Sequence, residues 1–600
     1  MTGNQRLSFV GAAAAAALFA TLPIRASEAI DYDSINKIRQ QGMGSTNVGT
    51  QQDPILVPNS KVMEIMSYLT DVYGPRLTGS PNIVKAGEWT VAKMKEWGLV
   101  NVSMEPWTPC PPPAPAPAGG AGAAGGGAGG RGGGRGGPPA CQFTRGWANE
   151  KFYMASVGAQ PFPIPGTPSG WTPGTAGLVR GDVVMVTETT EADLKAKYAG
   201  GKLKGKWVMS SAAPDVAAYF TAPGRRYTKD ELENMDSPPH PPELGVTPPG
   251  GANAGGGRQG GNRAGGAPVP GGTPGAPAPA PFNRTTWLKS EGVIGTLSTA
   301  PRGHGIYTIG GSASTDPATA LMAISIPAEQ YGRIARILEK NMPVTIEADI
   351  KNTYTPNPPM FNVVGEIPGT DKADEVVMLG AHFDSWHAST GATDNAAGSA
   401  AMLEAMRILK QSGVKLRRTV RIGLWTGEEQ GIYGSADYVA RHFGSAGGGG
   451  GRGGGGAAPA PTFTPEHAKF AGYFNIDNGT GAIRGVYLQG NQAVAPIFRE
   501  WMEPFRSIGM TTLTISNTGG TDHLSYDRVN LPGFQFIQDE VEYNSMTHHT
   551  YLDSYERIQP EDMRRNATIA AAFAFLTANR DEKLPRKPPT AAPGGGRGGQ

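Results

Sequence analysis

The sequence predicts an α/β fold in which helices flank a mostly parallel, mixed sheet, with a smaller β-rich unit placed before it. Three observations carry this prediction. From residue 361 onward, apolar runs alternate with polar loops and helix-like stretches. The run at residues 376–379 is continuously apolar, as in a strand that is covered on both faces. Residues 146–350 contain short strand-like runs instead.

The elements before residue 361 follow from local spacing and capping. Apolar residues recur at helical spacing over residues 62–69, directly after Ser60, and a second helix covers residues 81–97 and ends at Gly98. The middle unit then contains strand-like runs and one late helix. The runs lie at residues 181–186, 206–209 and 292–297, and the helix lies at residues 328–341.

After residue 361, strands and helices alternate, which is typical of parallel strands joined by crossover helices. Helices are predicted over residues 395–409 and 433–443. The strands are predicted at residues 376–379, at residues 420–425, just before Asp477, and at residues 534–537.

Low-complexity segments interrupt this pattern. Glycine (87 residues) and proline (52 residues) together are about twice as frequent as average usage predicts. Their excess lies in segments that cannot bury enough apolar area to fold, and we expect these segments to be disordered. The segments are residues 108–145, 238–281, 444–461 and 581–600.

Charge excludes several classes of partner. The chain has 53 basic and 51 acidic residues, a net charge of +2, so no global field favours nucleic acid or anionic membranes. Arginines within the glycine-rich segments are sparse and lack interleaved aromatic residues, which argues against an RNA-binding arm. We therefore expect a small partner and no nucleic acid.

The N-terminus resembles an export signal. An apolar stretch over residues 7–22 follows Arg6, and small residues follow at Ala26 and Ser27. A membrane anchor is the alternative, but the stretch is short for a helix of about 20 apolar residues. We expect a signal peptide over residues 1–26, no permanent membrane anchor, and a periplasmic or extracellular protein. Cys110 and Cys141 would then form a disulfide, with two unpaired thiols as the alternative.

Side chains that bind metals follow the predicted strands. Ligands bind beyond the carboxyl ends of strands in open α/β sheets, so residues distant in sequence converge there. Two histidines and three carboxylates suffice for two zinc ions. These candidate ligands are His382, Asp394, Glu429, Asp477 and His549.

A spare carboxylate next to these ligands predicts hydrolysis. Asp394 is suited to bridge two ions because a carboxylate has two oxygens, and Asp384 is suited to orient the His382 imidazole. Two zinc ions would lower the pKa of a shared water toward about 7. Glu428 would take the proton of that water and pass it to the leaving group.

Several motifs resemble the di-zinc exopeptidase family that includes secreted bacterial aminopeptidases, glutamate carboxypeptidase and carboxypeptidase Q. They are YGPRLTGS (residues 73–80), GAHFDSW (380–386), GATDNAAG (391–398), LWTGEEQG (424–431), NID (475–477) and HTYLDS (549–554). The resemblance implies a phosphorylase/hydrolase-like zinc peptidase fold, with Glu428 as general base and residues 146–350 as an inserted protease-associated domain. It also implies two zinc ligand sets: His382, Asp394 and Asp477 for one ion, and Asp394, Glu429 and His549 for the other.

The chain departs from the family at one position of the site. His548 stands where many relatives have a tyrosine that stabilises the oxyanion, and a histidine could donate the same hydrogen bond. Either histidine of the pair could ligate zinc, and the following HTYLDS motif favours His549. His523, in the GGTDH motif at residues 519–523, is a candidate to line the substrate pocket. Arg76 is a candidate to bind a substrate carboxylate or to fix its own loop.

These interpretations converge on an exported di-zinc exopeptidase that acts on peptides or dipeptides. Its peptidase domain would combine residues 27–107 with residues 351–580. The alternatives are a non-catalytic binding protein that keeps the fold and an amidohydrolase that acts on non-peptide amides. The sequence leaves aminopeptidase, carboxypeptidase and dipeptidase activity open, as well as oligomeric state.

Overall fold

The computed structural model describes residues 30–50, 52–108, 145–236, 282–312, 315–446, 460–477 and 479–588. Within these ranges the strands are, in chain order, β1 Ser45–Asn47, β2 Leu56–Pro58, β3 Val100–Pro106, β4 Arg145–Val157, β5 Phe162–Pro163, β6 Thr167–Pro168, β7 Val179–Met185, β8 Trp207–Met209, β9 Gly295–Ser298, β10 Ala323–Ser325, β11 Thr345–Pro356, β12 Phe361–Ile367, β13 Lys372–His382, β14 Arg418–Trp425, β15 Gly444–Ser445, β16 Thr462–Phe463, β17 Phe470–Asn475, β18 Ile483–Tyr487, β19 Thr512–Thr514 and β20 Gly533–Gln538.

The α-helices of the same ranges are α1 Tyr32–Met43, α2 Val62–Ser67, α3 Pro81–Glu96, α4 Glu191–Tyr198, α5 Lys229–Met235, α6 Arg284–Ser290, α7 Ala328–Leu338, α8 Ala397–Gln411, α9 Tyr433–His442, α10 Pro465–Lys469, α11 Ala495–Met502, α12 His523–Arg528 and α13 Pro560–Asn579. Turns of π-helix lie at Tyr68–Val72, Ala392–Ala396 and Tyr543–Thr547.

An eight-stranded sheet forms the centre of the larger unit. Its strand order is β19-β18-β20-β17-β13-β14-β12-β3. The central strands β20, β17, β13 and β14 run parallel to one another. Strand β12 pairs antiparallel with β14, and β3 pairs antiparallel with β12. This arrangement confirms the predicted mixed α/β fold. The apolar run at residues 376–379 lies in β13, at the middle of the sheet, which explains why both of its faces are apolar.

Helix α8 is the most deeply buried helix that contacts this sheet. Every residue from Ala397 to Leu409 is buried, because α13 and α1 cover the side of α8 that faces away from the sheet. The sequence predicted a helix over residues 395–409. A π-helical turn, Ala392–Ala396, precedes α8, so the regular helix begins two residues later than predicted.

A second eight-stranded sheet belongs to the middle part of the chain. Its order is β5-β4-β11-β7-β8-β9-β10-β6. It has its own core, which contains Trp207, Ile324 and Ile346, each fully buried. A β-rich unit was predicted for this part of the chain. The strand-like runs at residues 181–186, 206–209 and 292–297 correspond to β7, β8 and β9.

Aromatic residues join the two sheets. Trp147 and Trp171 from the middle unit pack with Leu77, Trp107 and Met360 in one buried cluster. His387 lies beside this cluster, with its ring edge-on to Trp147 at a centroid distance of 4.7 Å. Its Nε2–H donates to the carbonyl oxygen of Pro168 over 2.7 Å. Burial lowers the pKa of His387 to about 4.

Because the folded protein resists protonating His387, acid should weaken the contact between the sheets. An unfolded chain binds this proton near pH 6.5, whereas the folded state binds it only near pH 4, so stability falls as the pH falls between these values. The free energy of unfolding falls by at most about 1.4 kcal/mol per pH unit in this range. Glutamine at this position can donate to Pro168 but cannot titrate. Denaturant unfolding of the wild type and His387→Gln from pH 7.5 to 4.5 should therefore show a stability difference that shrinks on acidification. A difference independent of pH would contradict this assignment.

Several predicted segments lie outside the described residues: the signal peptide at residues 1–26, the insert at 238–281, most of the insert at 108–145, and Cys110 with Cys141. Two segments begin differently from the prediction. Gly444 and Ser445 pair with Thr462 and Phe463, so the third insert is closed by a short β-ladder. Residues 581–588 were expected in a disordered tail, but Leu584 is only 3% exposed. Among the described helices, none has both the length and the apolar character needed to span a bilayer.

Candidate metal centre

Three adjacent parallel strands bring the candidate ligands to one edge of the large sheet. Strand β13 ends at His382, β14 ends three residues before Glu428, and β17 ends two residues before Asp477. Since β17, β13 and β14 are neighbours with matched register, their carboxyl ends coincide. Asp394 reaches the same edge from the π-helical turn before α8.

The first group of ligand atoms surrounds the Nε2 atom of His382. It lies 3.2 Å from Oδ1 of Asp394 and 3.6 Å from Oδ1 of Asp477. Two ligand atoms bound to one tetrahedral zinc ion at ordinary bond lengths lie about 3.3 Å apart. Each of these two distances from His382 is close to that separation.

The second group uses the other oxygen of the same aspartate. Nε2 of His549 lies 3.4 Å from Oδ2 of Asp394 and 3.0 Å from Oε2 of Glu429. The two oxygens of Asp394 thus face different histidines, as a carboxylate between two metal ions would. Asp394 is only 4% exposed, whereas the His549 side chain is 39% exposed, so the carboxylate is buried and the histidine faces solvent.

Both His548 and His549 lie close to Asp394, so either histidine could be the ligand. The rings of His548 and His549 stack with centroids 4.0 Å apart, and Nε2 of His548 lies 3.9 Å from Oδ2 of Asp394. Ligand atoms of Asp394, His548 and His549 lie within 4.8 Å of one another, as do those of His382, Asp394 and Glu429. Of the two histidines, His549 is the one whose Nε2 lies within ion-pair distance of Glu429 in the described part of the chain, at 3.0 Å from Oε2, which favours it as the ligand.

The buried carboxylates of the site favour a bound cation. Oδ2 of Asp394 and Oε1 of Glu429 are buried without a hydrogen-bond partner among the described residues. Burial and nearby carboxylates raise the pKa of Glu428 and Glu429 well above the usual range, although His382 opposes this. Bare buried carboxylate oxygens are costly unless a cation compensates them. A set of imidazole and carboxylate donors at these spacings fits zinc.

Asp384 lies behind the first group and connects two loops. Its carboxylate accepts hydrogen bonds from Thr78 Oγ1 (2.9 Å) and from the main-chain amides of Glu428 (3.3 Å) and Glu429 (3.4 Å). The closest acceptor to Nδ1 of His382 is the main-chain carbonyl of Asp384, at 3.1 Å, and its carboxylate is at 3.6 Å. The predicted orienting contact thus runs through the backbone, while the carboxylate positions the loop of Glu428.

Two further buried charges position the turn that carries Asp394. The carboxylate of Asp553 accepts from the main-chain amides of Thr393 (2.5 Å) and Asp394 (3.2 Å). Arg76 is fully buried and donates to four carbonyl oxygens, including those of Phe383 (2.8 Å) and Gly391 (2.9 Å). Of the two roles considered for Arg76, fixing the loop agrees with these contacts. The role of Asp553 was not predicted, although the HTYLDS motif contains it.

His523 lies inside the protein, not on the wall of an open pocket as expected. It is fully buried, and its Nε2 lies 2.6 Å from Nε2 of Gln489 and 3.2 Å from the carbonyl oxygen of Thr518. Burial lowers its pKa to about 4. These contacts hold the ring inside the protein, whereas the predicted role as a pocket-lining residue requires an open face. His548, by contrast, has 38% of its side chain exposed.

Residues 362–574 match the model of peptidase family M28. Carboxypeptidase Q of Mus musculus is 28% identical over 261 residues, covering 44% of this chain and 51% of the relative. Aminopeptidase YwaD of Bacillus subtilis is 26% identical over 245 residues, covering 40% of this chain and 49% of the relative. The chain thus spans about half the length of the curated relatives it matches. The resemblance to the di-zinc exopeptidase family is confirmed for this region.

A solved structure, the peptidase M28 precursor from Shewanella amazonensis, is similar to 93% of this chain and 99% of its own. Its TM-score is 0.56 and its sequence identity is 20%, so the similarity concerns the fold. The family match begins at residue 362, after the middle unit. The assignment of residues 146–350 to a protease-associated domain therefore stays a prediction.

Proposed function

From the match of residues 362–574 to peptidase family M28, we propose that this chain is an exported, zinc-dependent exopeptidase that hydrolyses peptide bonds at chain ends. The observation that carries the proposal is the division of Asp394 between two histidines, with Oδ1 near His382 and Oδ2 near His549. A carboxylate placed in this way would offer one oxygen to each of two cations. Export is proposed from residues 1–26 alone.

Five side chains would hold two zinc ions. His382, Asp394 and Asp477 form one set, and Asp394, Glu429 and His549 form the other. When bound, such a pair polarises the substrate carbonyl and lowers the pKa of a shared water. The chain supplies the buried surroundings, in which charge interactions are stronger than in water.

Glu428 would move the proton. Its loop is fixed through the hydrogen bond from the Glu428 amide to Asp384, so the carboxylate is held beside the ligand groups. Its buried setting raises its affinity for a proton. It would accept the proton of the attacking water and return it to the departing amine, which leaves as a neutral group.

His548 would assist at the carbonyl. It lies beside His549, and part of its ring is open to solvent, so a substrate can approach it. A ring N–H directed at the carbonyl oxygen would stabilise the negative charge that develops there. In this proposal His548 takes the place of the tyrosine found at this position in many relatives.

The test compares three dipeptides: one with both termini free, one N-acetylated and one C-amidated. Hydrolysis is measured before chelation, after chelation and after zinc is restored. We expect cleavage of at least one substrate, its loss on chelation and its recovery with zinc, with close to two zinc ions per chain. A chain with well under one zinc and no cleavage would indicate a binding protein. Zinc binding without cleavage of any peptide would indicate an amidohydrolase that acts on other amides.

A further inference from the structure

The two proposed zinc ligand sets differ in how their histidines are held. His382 ends strand β13 and is only 1% exposed, so the core of the large sheet fixes its position. His549 instead lies in the ligand loop, residues 539–559, which runs from the end of β20 to the start of α13. Its backbone has a φ of 53°, and a residue other than glycine keeps this left-handed conformation only where surrounding contacts impose it. The contacts of the ligand loop therefore decide where His549 lies.

The middle unit makes one of these contacts at the histidine itself. Loop 299–312, which follows β9, runs alongside the ligand loop. The amide of Ile309 donates to the carbonyl oxygen of His549 over 2.8 Å, and Thr308 pairs with Thr550 in an isolated β-bridge. These contacts hold the main chain of the ligand and of the residue after it.

A second segment of the middle unit, the strap (residues 219–236), holds the ligand loop before the histidine pair. Val541 and Arg225 exchange two main-chain hydrogen bonds, of 2.8 Å and 2.9 Å. Four residues further along the loop, Ser545 Oγ donates to the carbonyl oxygen of Pro223 over 2.7 Å. The middle unit thus contacts the ligand loop on both sides of the histidine pair.

Arg226, in the strap, bridges the two elements between which the ligand loop runs. Its Nη1 donates to Oδ2 of Asp539 over 3.0 Å, and its Nη2 lies 2.7 Å from Oδ2 of Asp562. Asp539 directly follows β20, whereas Asp562 lies in the first turn of α13. Both carboxylates are buried, and removing the cation from a buried carboxylate is strongly destabilising. Arg226 therefore constrains both ends of the ligand loop.

The strap is itself attached at each end. Asp236 accepts from the main-chain amide of Leu513, in strand β19, over 2.7 Å and from Nη2 of Arg499 over 2.9 Å. At the other end, Tyr219 stacks on His304 of loop 299–312 with ring centroids 4.3 Å apart. Arg226 is thus presented to the ligand loop from a segment whose two ends are fixed.

We propose that Arg226 is a positioning residue for the second zinc ligand set, which holds His549 beside Glu429 by constraining the ligand loop. The inference rests on the proposed function. Arg226 acts through the main chain of the loop and not on the ligand atoms. The first set should not depend on it, because His382 and Asp477 follow strands of the large sheet. The middle unit would in this way complete one of the two zinc sites.

The experiment counts zinc ions per chain by metal analysis while the buffered free zinc concentration is lowered. The variants are Arg226→Met, Arg226→Lys and Ser545→Ala, and Arg180→Met is the matched control, because Arg180 pairs with Glu347 inside the middle unit. We expect Arg226→Met to hold one ion as tightly as the wild type and the other about 10- to 100-fold more weakly, as is typical when a supporting partner of a ligand is lost. Its hydrolysis of a dipeptide that the wild type cleaves should rise with added zinc.

Arg226→Lys should recover part of the lost affinity, since an ammonium can pair with one of the two carboxylates. Ser545→Ala should weaken the same ion by a smaller factor, because a neutral hydrogen bond contributes less than a charged one, and it decides the outcome if Arg226→Met does not fold. Two ions held with wild-type affinity in Arg226→Met overturn the inference and leave the proposed function intact. Equal weakening of both ions also overturns it, because Arg226 would then support the whole fold. A wild type that binds fewer than two zinc ions overturns the proposed di-zinc function as well.

Discussion

Replacing Glu428 with glutamine is expected to lower kcat by about 10²- to 10⁴-fold, because a positioned acid or base contributes that much to a proton transfer. Glutamine keeps the shape of the side chain but cannot accept the proton. The main-chain contact between residue 428 and Asp384 does not depend on the side chain, so the loop should keep its position. Zinc content should therefore stay at the wild-type value, and metal analysis alongside the kinetics would show this.

A matched control is Glu561→Gln, at the start of α13. Glu561 pairs with Arg564 and its side chain is 70% exposed, so its loss should leave kcat unchanged. Near-wild-type turnover of Glu428→Gln with zinc bound would mean that another group moves the proton. A large loss of zinc would instead mean that Glu428 supports the ligands.

Replacing Asp394 with asparagine should remove both metal ions together. Each oxygen of Asp394 faces a different histidine, at 3.2 Å from His382 and 3.4 Å from His549. Asparagine offers only one acceptor oxygen and no negative charge, so neither set would be complete. We expect zinc content near zero and a fall in activity beyond the roughly 10- to 100-fold typical of losing a partner of a ligand.

Asp437→Asn provides the comparison, since Asp437 forms an i,i+4 ion pair with Arg441 on α9. It should keep two zinc ions and full activity. If Asp394→Asn retains one tightly bound ion, the aspartate belongs to a single site and the bridging role is wrong. If it retains two, the ligand assignment as a whole is wrong.

The sequence was sufficient to predict the large sheet because its signals are local. The apolar run in β13 and the helix-like stretch that became α8 are each specified by their own residues. The same topology predicted that His382, Glu429 and Asp477 would meet, since parallel neighbours end at one edge. What the sequence did not indicate is that α8 is buried all around. That depends on α13, which is distant in sequence and covers it.

The choice between His548 and His549 depends on backbone geometry. His549 has a φ of 53°, in the left-handed region, and the preceding His548 does not. The HTYLDS motif favoured His549 as the ligand, and in the structure its Nε2 lies 3.0 Å from Oε2 of Glu429. The contact between Asp384 and the loop of Glu428 could not be predicted from the sequence. The Asp384 carboxylate accepts from main-chain amides, and such amides have no sequence signature.

Residues 299–312, the loop after β9, contact the segment around His549, and this contact has a practical consequence for protein engineering. The amide of Ile309 donates to the carbonyl oxygen of His549 without involving either side chain, so the loop sequence can vary at positions other than Tyr307, which stacks on Tyr551. Laboratory evolution of selectivity should therefore randomise this loop and the neighbouring segment around Tyr219. Libraries confined there would leave the hydrolytic centre and its supporting core untouched.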